Sequence, residues 1–111
     1  MTQYLVAIYH PVDFEPGSES EETGRDIEAL NDEMSAGGIV RFVGGLTPAR
    51  RAKSLRLRRG EAAVTDGPYA EAKEHIGGFW VLECGSEEEA LDWGRKAALA
   101  CRTPVEVRAF N

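Results

Sequence analysis

The chain of 111 residues contains few of the residues that build metal centres and disulfide frameworks. It has two cysteines, Cys84 and Cys101, only two histidines and no Cys-x-x-Cys pair, which excludes a zinc site with the usual spacing. We expect both cysteines to be buried free thiols in a reducing cytoplasm, with a disulfide or a reactive thiol as the alternatives. The sequence therefore predicts no metal and no other cofactor.

Long hydrophobic segments are also missing. No apolar run reaches the length of about 18 residues that a membrane-spanning helix needs, so we expect no membrane partner. The first residues, Met1 to Asp13, lack a basic start and a small-residue cleavage site, and their apolar stretch is typical of a strand. These observations favour a cytoplasmic protein.

The composition is that of a soluble globular protein, with 42% apolar and 29% charged residues, and the length fits one domain over 1–111. The net charge of −6 counts against nucleic acid as a partner. The charge is unevenly distributed, however, because residues 41–60 carry seven basic residues and no acid. The seven are Arg41, Arg50, Arg51, Lys53, Arg56, Arg58 and Arg59.

Hydrophobic periodicity and turn residues predict six strands and two helices. The first helix is expected over 19–36 with Ser18 as N-cap, and the second is expected to begin after Ser86, since each serine has a glutamate three residues later. One further helical turn is expected over Ala70 to His75. The predicted strands are Gln3–Tyr9, Ile39–Val43, Ala52–Arg59, Ala62–Thr65, Phe79–Cys84 and Val105–Phe110.

This order of elements predicts an α+β, ferredoxin-like fold, β-α-β-β-α-β, with an added hairpin. Two helices cover only one face of such a sheet. The first strand and the Phe79–Cys84 strand are nevertheless apolar on both faces. In an antiparallel sheet with one solvent-exposed face, apolar and polar residues alternate along each strand. We therefore expect a homodimer in which a second copy covers the other face.

The segment from Val64 to Phe79 carries a motif. It contains Asp-Gly-Pro-Tyr at 66–69, Lys-Glu at 73–74 and Gly-Gly-Phe at 77–79. With Gly-Gly-Leu-x-Pro at 44–48 and the closing Val-Glu-Val-Arg, the sequence resembles the DGPF proteins of the YCII-related family over essentially its whole length.

The resemblance implies a dimeric ferredoxin-like protein, an assembly of the dimeric α/β-barrel type. Most DGPF proteins have no assigned activity, and many are encoded beside sigma factors, which implies a sigma-factor-related regulatory partner. A YCII-like branch of the family resembles enzymes with a His-Asp dyad whose histidine lies in the first helix. Here the only histidines are His10 and His75, and neither lies in the predicted first helix.

Titratable residues cluster around the Asp-Gly-Pro-Tyr turn. As an enzyme, the protein would use Asp66 or Glu71 as general acid or base and Lys73 to stabilise developing negative charge. His10, Tyr69 and Glu74 are candidate ligand-binding residues beside them. The alternative is a structural turn followed by a solvated segment, with Glu71 and His75 as a surface pair.

The basic stretch has three interpretations. Arg56 and Arg58 share one face of their strand, with Leu55 and Leu57 on the other, as on an edge strand protected by charge. The arginines could also pair with the acidic first helix, Asp26 to Glu33, within a dimer, or bind a small anionic ligand. Two functions thus stay open: a small-molecule-binding or regulatory dimer, and an acid–base enzyme of hydrolase or lyase type acting on a small anionic or phenolic substrate.

Overall fold

Six strands, two helices and a short 3-10 helix alternate along the chain. The computed structural model describes all 111 residues. The strands are β1 (Thr2–Pro11), β2 (Val40–Gly45), β3 (Lys53–Arg58), β4 (Glu61–Asp66), β5 (Glu74–Cys84) and β6 (Val105–Ala109), and the helices are α1 (Glu21–Ala36) and α2 (Glu87–Cys101). The 3-10 helix is Ala49–Arg51.

The main sheet is antiparallel and has the strand order β2-β5-β1-β6, while β3 and β4 form a separate two-stranded hairpin. The predicted α+β class is confirmed, and with the hairpin set aside this order is compatible with a ferredoxin-like fold. The added hairpin of the prediction is therefore present, but it is not part of the main sheet.

Both helices pack on one face of the sheet. In the core, Tyr4 and Val6 of β1 and Trp80 and Leu82 of β5 pack against Leu30 and Met34 of α1. Ala90 and Ala97 of α2 complete this core. Cys84 and Cys101 also lie within it, as buried free thiols. Ala90, Gly94, Ala97 and Cys101 share one face of α2, and all four are buried. Small residues along this face let α2 approach the sheet closely.

The two helix starts differ in how well their caps follow the prediction. Ser86 is the N-cap of α2, where its Oγ accepts a hydrogen bond from the Glu89 amide at 3.2 Å. The predicted cap Ser18 is wrong, because Ser20 Oγ accepts from the Thr23 amide and α1 begins at Glu21. Ser18 Oγ instead donates to the Glu15 carbonyl and closes a turn ahead of the helix.

The expected helical turn over Ala70 to His75 is also wrong. Glu74 and His75 belong to β5, where they pair with Pro11 and His10 of β1, and His75 Nε2 lies 3.1 Å from the Ala72 carbonyl oxygen. Pairing between distant strands thus overrides a weak local helical pattern. Both central strands are longer than predicted for the same reason.

The opposite face of the main sheet carries no helix. Leu5, Phe79 and Val81 are half-buried there, and the Phe42 ring is 55% exposed and lies 5.6 Å from the Phe79 ring. The two-faced apolar pattern of the central strands therefore corresponds to an uncovered apolar surface, which we call the helix-free face.

Candidate functional site

The largest ligand-sized cavity between the sheet and a helix has a floor made of glycine. Gly44 and Gly45 of β2 lie beside Gly77 and Gly78 of β5, and Gly45 pairs with Gly78 across the two strands. These four glycines line an opening of about 260 Å³ between the sheet and the start of α1. We call this opening the glycine-floored pocket.

His10 forms one wall of the pocket because of a β-bulge. The pairing of β1 with β5 shifts between Ile8 and Tyr9, so that Ile8 faces Gly78, Tyr9 faces Ile76 and Gly77 is the extra residue. A Cβ atom at Gly77 would lie 2.1 Å from His10 Cδ2, so glycine is required there to leave room for the ring. Phe14 holds the other side of the imidazole by stacking at 3.8 Å between ring centroids.

Asn31 of α1 supplies one side-chain amide to the lining. Trp80 Nε1 donates a hydrogen bond of 2.8 Å to Asn31 Oδ1, which links the buried end of β5 to α1. This bond uses the carbonyl side of the Asn31 amide, so its NH₂ group is left to donate to a bound molecule. The pocket is otherwise apolar around these groups, with Ile8, Ile27, Val43, Phe79 and Trp80 along its sides.

The segment between β1 and α1 lines one edge of the pocket. Pro16 and Gly17 reach its edge, with Gly17 in a turn at φ +87°, and Glu15 anchors the segment through a 2.7 Å ion pair with Arg50. Glu19 follows and supplies the only formally charged side chain of the lining. An acidic rim without lysine or arginine disfavours a negatively charged ligand.

Burial controls the protonation of the two reactive groups that line the pocket. Desolvation lowers the pKa of His10 below its usual value and outweighs the opposing effect of the Glu19 carboxylate, so the imidazole is neutral at pH 7. Desolvation, helped by Glu19 and opposed by Arg102, raises the pKa of the Cys101 thiol to about 11. The site thus offers a neutral imidazole as hydrogen-bond acceptor or base, and a thiol that stays protonated.

The residues predicted to carry catalysis lie elsewhere. Asp66 ends β4 with its side chain 86% exposed and ion-paired with Lys53, whose hydrogen bond and charge lower the pKa of the carboxyl. Glu71 and Lys73 are exposed on the segment between β4 and β5. Within one protomer no pocket encloses these side chains, and the catalytic role assigned to them stays a prediction.

The predicted ligand-binding residues divide between two places. Only His10 lines the glycine-floored pocket. Tyr69 is 69% exposed beneath the Arg56 guanidinium, which lies 5.0 Å from the ring centroid, while Arg58 lies on the hairpin and Glu74 is exposed at the start of β5. The motif therefore contributes to the pocket mainly through Gly77 and Gly78.

The residues that sequence reasoning did not assign to a site are the glycines, Asn31 and Glu19. The signal for the floor was present in the two Gly-Gly pairs at 44–45 and 77–78, since glycine weakens a strand and marks a close approach or an opening. No local signal singles out Asn31 or Glu19, because the packing of α1 over the sheet brings them to the pocket.

Comparison with known proteins gives a family and no activity. A family described as the YCII-related domain matches residues 2–109. An uncharacterized protein, R00369 of Rhizobium meliloti (strain 1021), is 40% identical over 77 residues, a stretch that covers 69% of this chain and 62% of that protein. No helix of this structure is both long and apolar enough to cross a membrane, and no three metal-ligating side chains cluster.

Proposed function

The chain belongs to the YCII-related domain family, and we propose that it is a homodimer that binds a small neutral molecule with a phenolic or similar hydroxyl group in the glycine-floored pocket. The observation that carries the proposal is the opening of about 260 Å³ over four glycines, with His10 and Asn31 both in its lining. Its volume lies just below the range of about 300–1,000 Å³ typical of ligand sites, which favours a small molecule.

The chemistry of the lining favours a planar ligand that carries a hydroxyl group. The neutral His10 imidazole can accept the hydroxyl proton, while the Asn31 NH₂ group donates to the same oxygen. Trp80, Ile27 and Ile8 supply apolar contact for a ring. The Glu19 carboxylate at the rim makes an anion the poorer occupant, so of the anionic and phenolic ligands expected from the sequence we retain the phenolic one.

The homodimer is supported by the helix-free face. Leu5, Phe42, Phe79 and Val81 leave this side of the sheet apolar, where a solvated face would alternate with polar residues. A second copy of the chain offers an identical apolar surface, and a two-fold axis lets the two faces cover each other. A sigma-factor-related partner, which only the resemblance implies, stays a prediction.

Titration of the ¹⁵N-labelled protein with phenol tests the pocket. We expect millimolar phenol to shift the indole N–H signal of Trp80 and the side-chain amide signal of Asn31, since both groups form one wall. Toluene, which has the ring without the hydroxyl, and benzoate, which adds a charge, should bind several-fold more weakly because each loses one feature of the fit.

A pocket-filling substitution provides the control. A Cβ at Gly45 would meet only the Gly77 carbonyl oxygen, at 3.9 Å. Gly45→Val therefore places a side chain that fills part of the pocket, without a backbone clash at its Cβ. We expect this variant to fold and to lose the phenol response, whereas Gly24→Ala on the open side of α1 should keep it. Failure of wild type to respond to phenol, or an unchanged response in Gly45→Val, would contradict the proposed site.

A further inference from the structure

The positive charge that the chain leaves unpaired is concentrated in one segment. Eight of the thirteen basic residues form ion pairs within the protomer, among them Arg102 with Asp26 and Lys96 with Glu33, which join α2 to α1. The five others all lie between positions 51 and 73: Arg51, Arg56, Arg58, Arg59 and Lys73. The acidic residues of α1 are therefore neutralised in part by α2 and not by the basic stretch of their own protomer.

The same segment exposes apolar surface. Leu55 pairs with Val64 and Leu57 pairs with Ala62, so these side chains form one face of the hairpin, and Leu55, Leu57 and Val64 are 63%, 82% and 64% exposed. The tight turn at Arg59 and Gly60, both at positive φ, joins two strands that pair with each other and not with the main sheet. An isolated two-stranded hairpin is only marginally stable in water, so an uncovered apolar face on one calls for a partner surface.

We propose that the β3–β4 hairpin is an arm whose apolar face and arginines pack against a second copy of this chain. The inference deepens the proposed homodimer and rests on it. Outside the hairpin the chain is strongly acidic, so a second copy presents the complementary charge. Contact between two hairpins would bring arginines together, and the receiving surface is therefore the acidic remainder of the partner.

Two other anionic partners fit the whole molecule less well. A nucleic acid or an anionic membrane would attract the hairpin but would repel a chain whose net charge is −6. The hairpin also lacks aromatic side chains on which bases could stack. A second copy would both neutralise the arginines and cover the apolar surface. Each protomer can contribute one arm and bind the arm of the other, which gives a closed two-fold dimer.

Sedimentation over a range of concentrations tests the arm with two matched leucines. Leu57 on the hairpin and Leu99 on α2 are almost equally exposed, at 82% and 78%, so a charge at either position disturbs the folded protomer little. We expect Leu57→Glu to raise the dimer dissociation constant by about tenfold or more, the usual effect of losing a central interface side chain. Leu99→Glu should leave it unchanged, and circular dichroism checks that both variants are folded.

Thiol labelling provides an independent measurement, since Cys84 and Cys101 are buried. A cysteine introduced by Leu57→Cys should react with a maleimide more slowly as the protein concentration rises, because the dimer covers it. A monomeric wild type at every concentration would overturn both the homodimer and the arm. A dimer that Leu57→Glu does not weaken would overturn the arm alone, as would wild-type binding to phosphatidylserine vesicles or to DNA through the hairpin.

Discussion

At the scale of single residues, the pocket depends on which side chains are absent. Gly77 leaves space that the His10 ring occupies, and Phe14 fixes the plane of that ring. Burial then decides the state of the imidazole, because a partly desolvated ring holds its proton less tightly than a solvated one. Position and protonation of His10 therefore both follow from its surroundings in the folded chain.

The lowered pKa of His10 makes stability depend on pH. Above about pH 6.5 the ring is neutral in both the folded and the unfolded chain. As the pH falls below that value, the unfolded chain binds the proton more readily than the folded one, so the free energy of unfolding decreases until the pH passes below the folded pKa. The loss should be less than about 1 kcal/mol, since solvent still reaches the ring.

Urea unfolding from pH 7.5 to pH 5 checks this prediction in wild type and His10→Asn. The stability of wild type relative to His10→Asn should decrease as the pH is lowered. A constant difference between wild type and His10→Asn would mean that the ring is solvated.

At the scale of elements, the position of α2 is set by its close packing against the sheet. A Cβ at Gly94 would lie 2.6 Å from Val107 Cγ2 on β6, which is closer than two carbon atoms approach, so α2 sits on β6 through a glycine. Gly24, in the interior of α1, has no atom within 4 Å of the corresponding position. The two helical glycines thus differ only in what surrounds them.

Alanine substitutions at these two positions should have opposite effects. Gly94→Ala forces α2 away from Val107 and should lower the free energy of unfolding by about 1–3 kcal/mol. Gly24→Ala should raise it by up to about 1 kcal/mol, because alanine favours the helix and meets no neighbour. Chemical denaturation of both variants measures the difference, and equal changes at the two sites would show that α2 is not seated as described.

At the scale of the whole molecule, the hairpin is the part that departs from a globular shape. The radius of gyration is 15.7 Å, against about 13 Å for a compact domain of this size, and the longest dimension is 48 Å. The hairpin begins and ends at one point, where the Gly67 amide donates to the Ala52 carbonyl at 2.7 Å. The main sheet and its helices therefore form a unit that the hairpin extends.

This arrangement predicts that the hairpin can be removed. Replacing residues 53–66 by two glycines would convert the Gly67-to-Ala52 hydrogen bond into that of a β-turn. We expect the shortened chain to keep cooperative unfolding, the Trp80 indole signal at its wild-type position and the phenol response, and to lose dimerisation. A molten or unfolded product would show that the hairpin is part of the folding unit.

Local patterns in the sequence predicted the elements well where the stabilising interactions are themselves local. The Ser86 cap, which depends on residues three positions apart, lies where the sequence predicts it. Prediction failed at the Ser18 cap and at Ala70 to His75. There two local patterns competed, or a distant strand, β1, decided the outcome.

The amino-acid sequence by itself determined the α+β class, the burial of both cysteines, the apolar character of both sheet faces and the concentration of positive charge in residues 41–60. Only the tertiary structure decided where a ligand can bind, because His10, Asn31, Glu19 and the two glycine pairs come from five separate segments. The physical reason is that a pocket is a property of distances between elements. Those distances are set by the register of β1 on β5 and by the packing of α1 across the sheet.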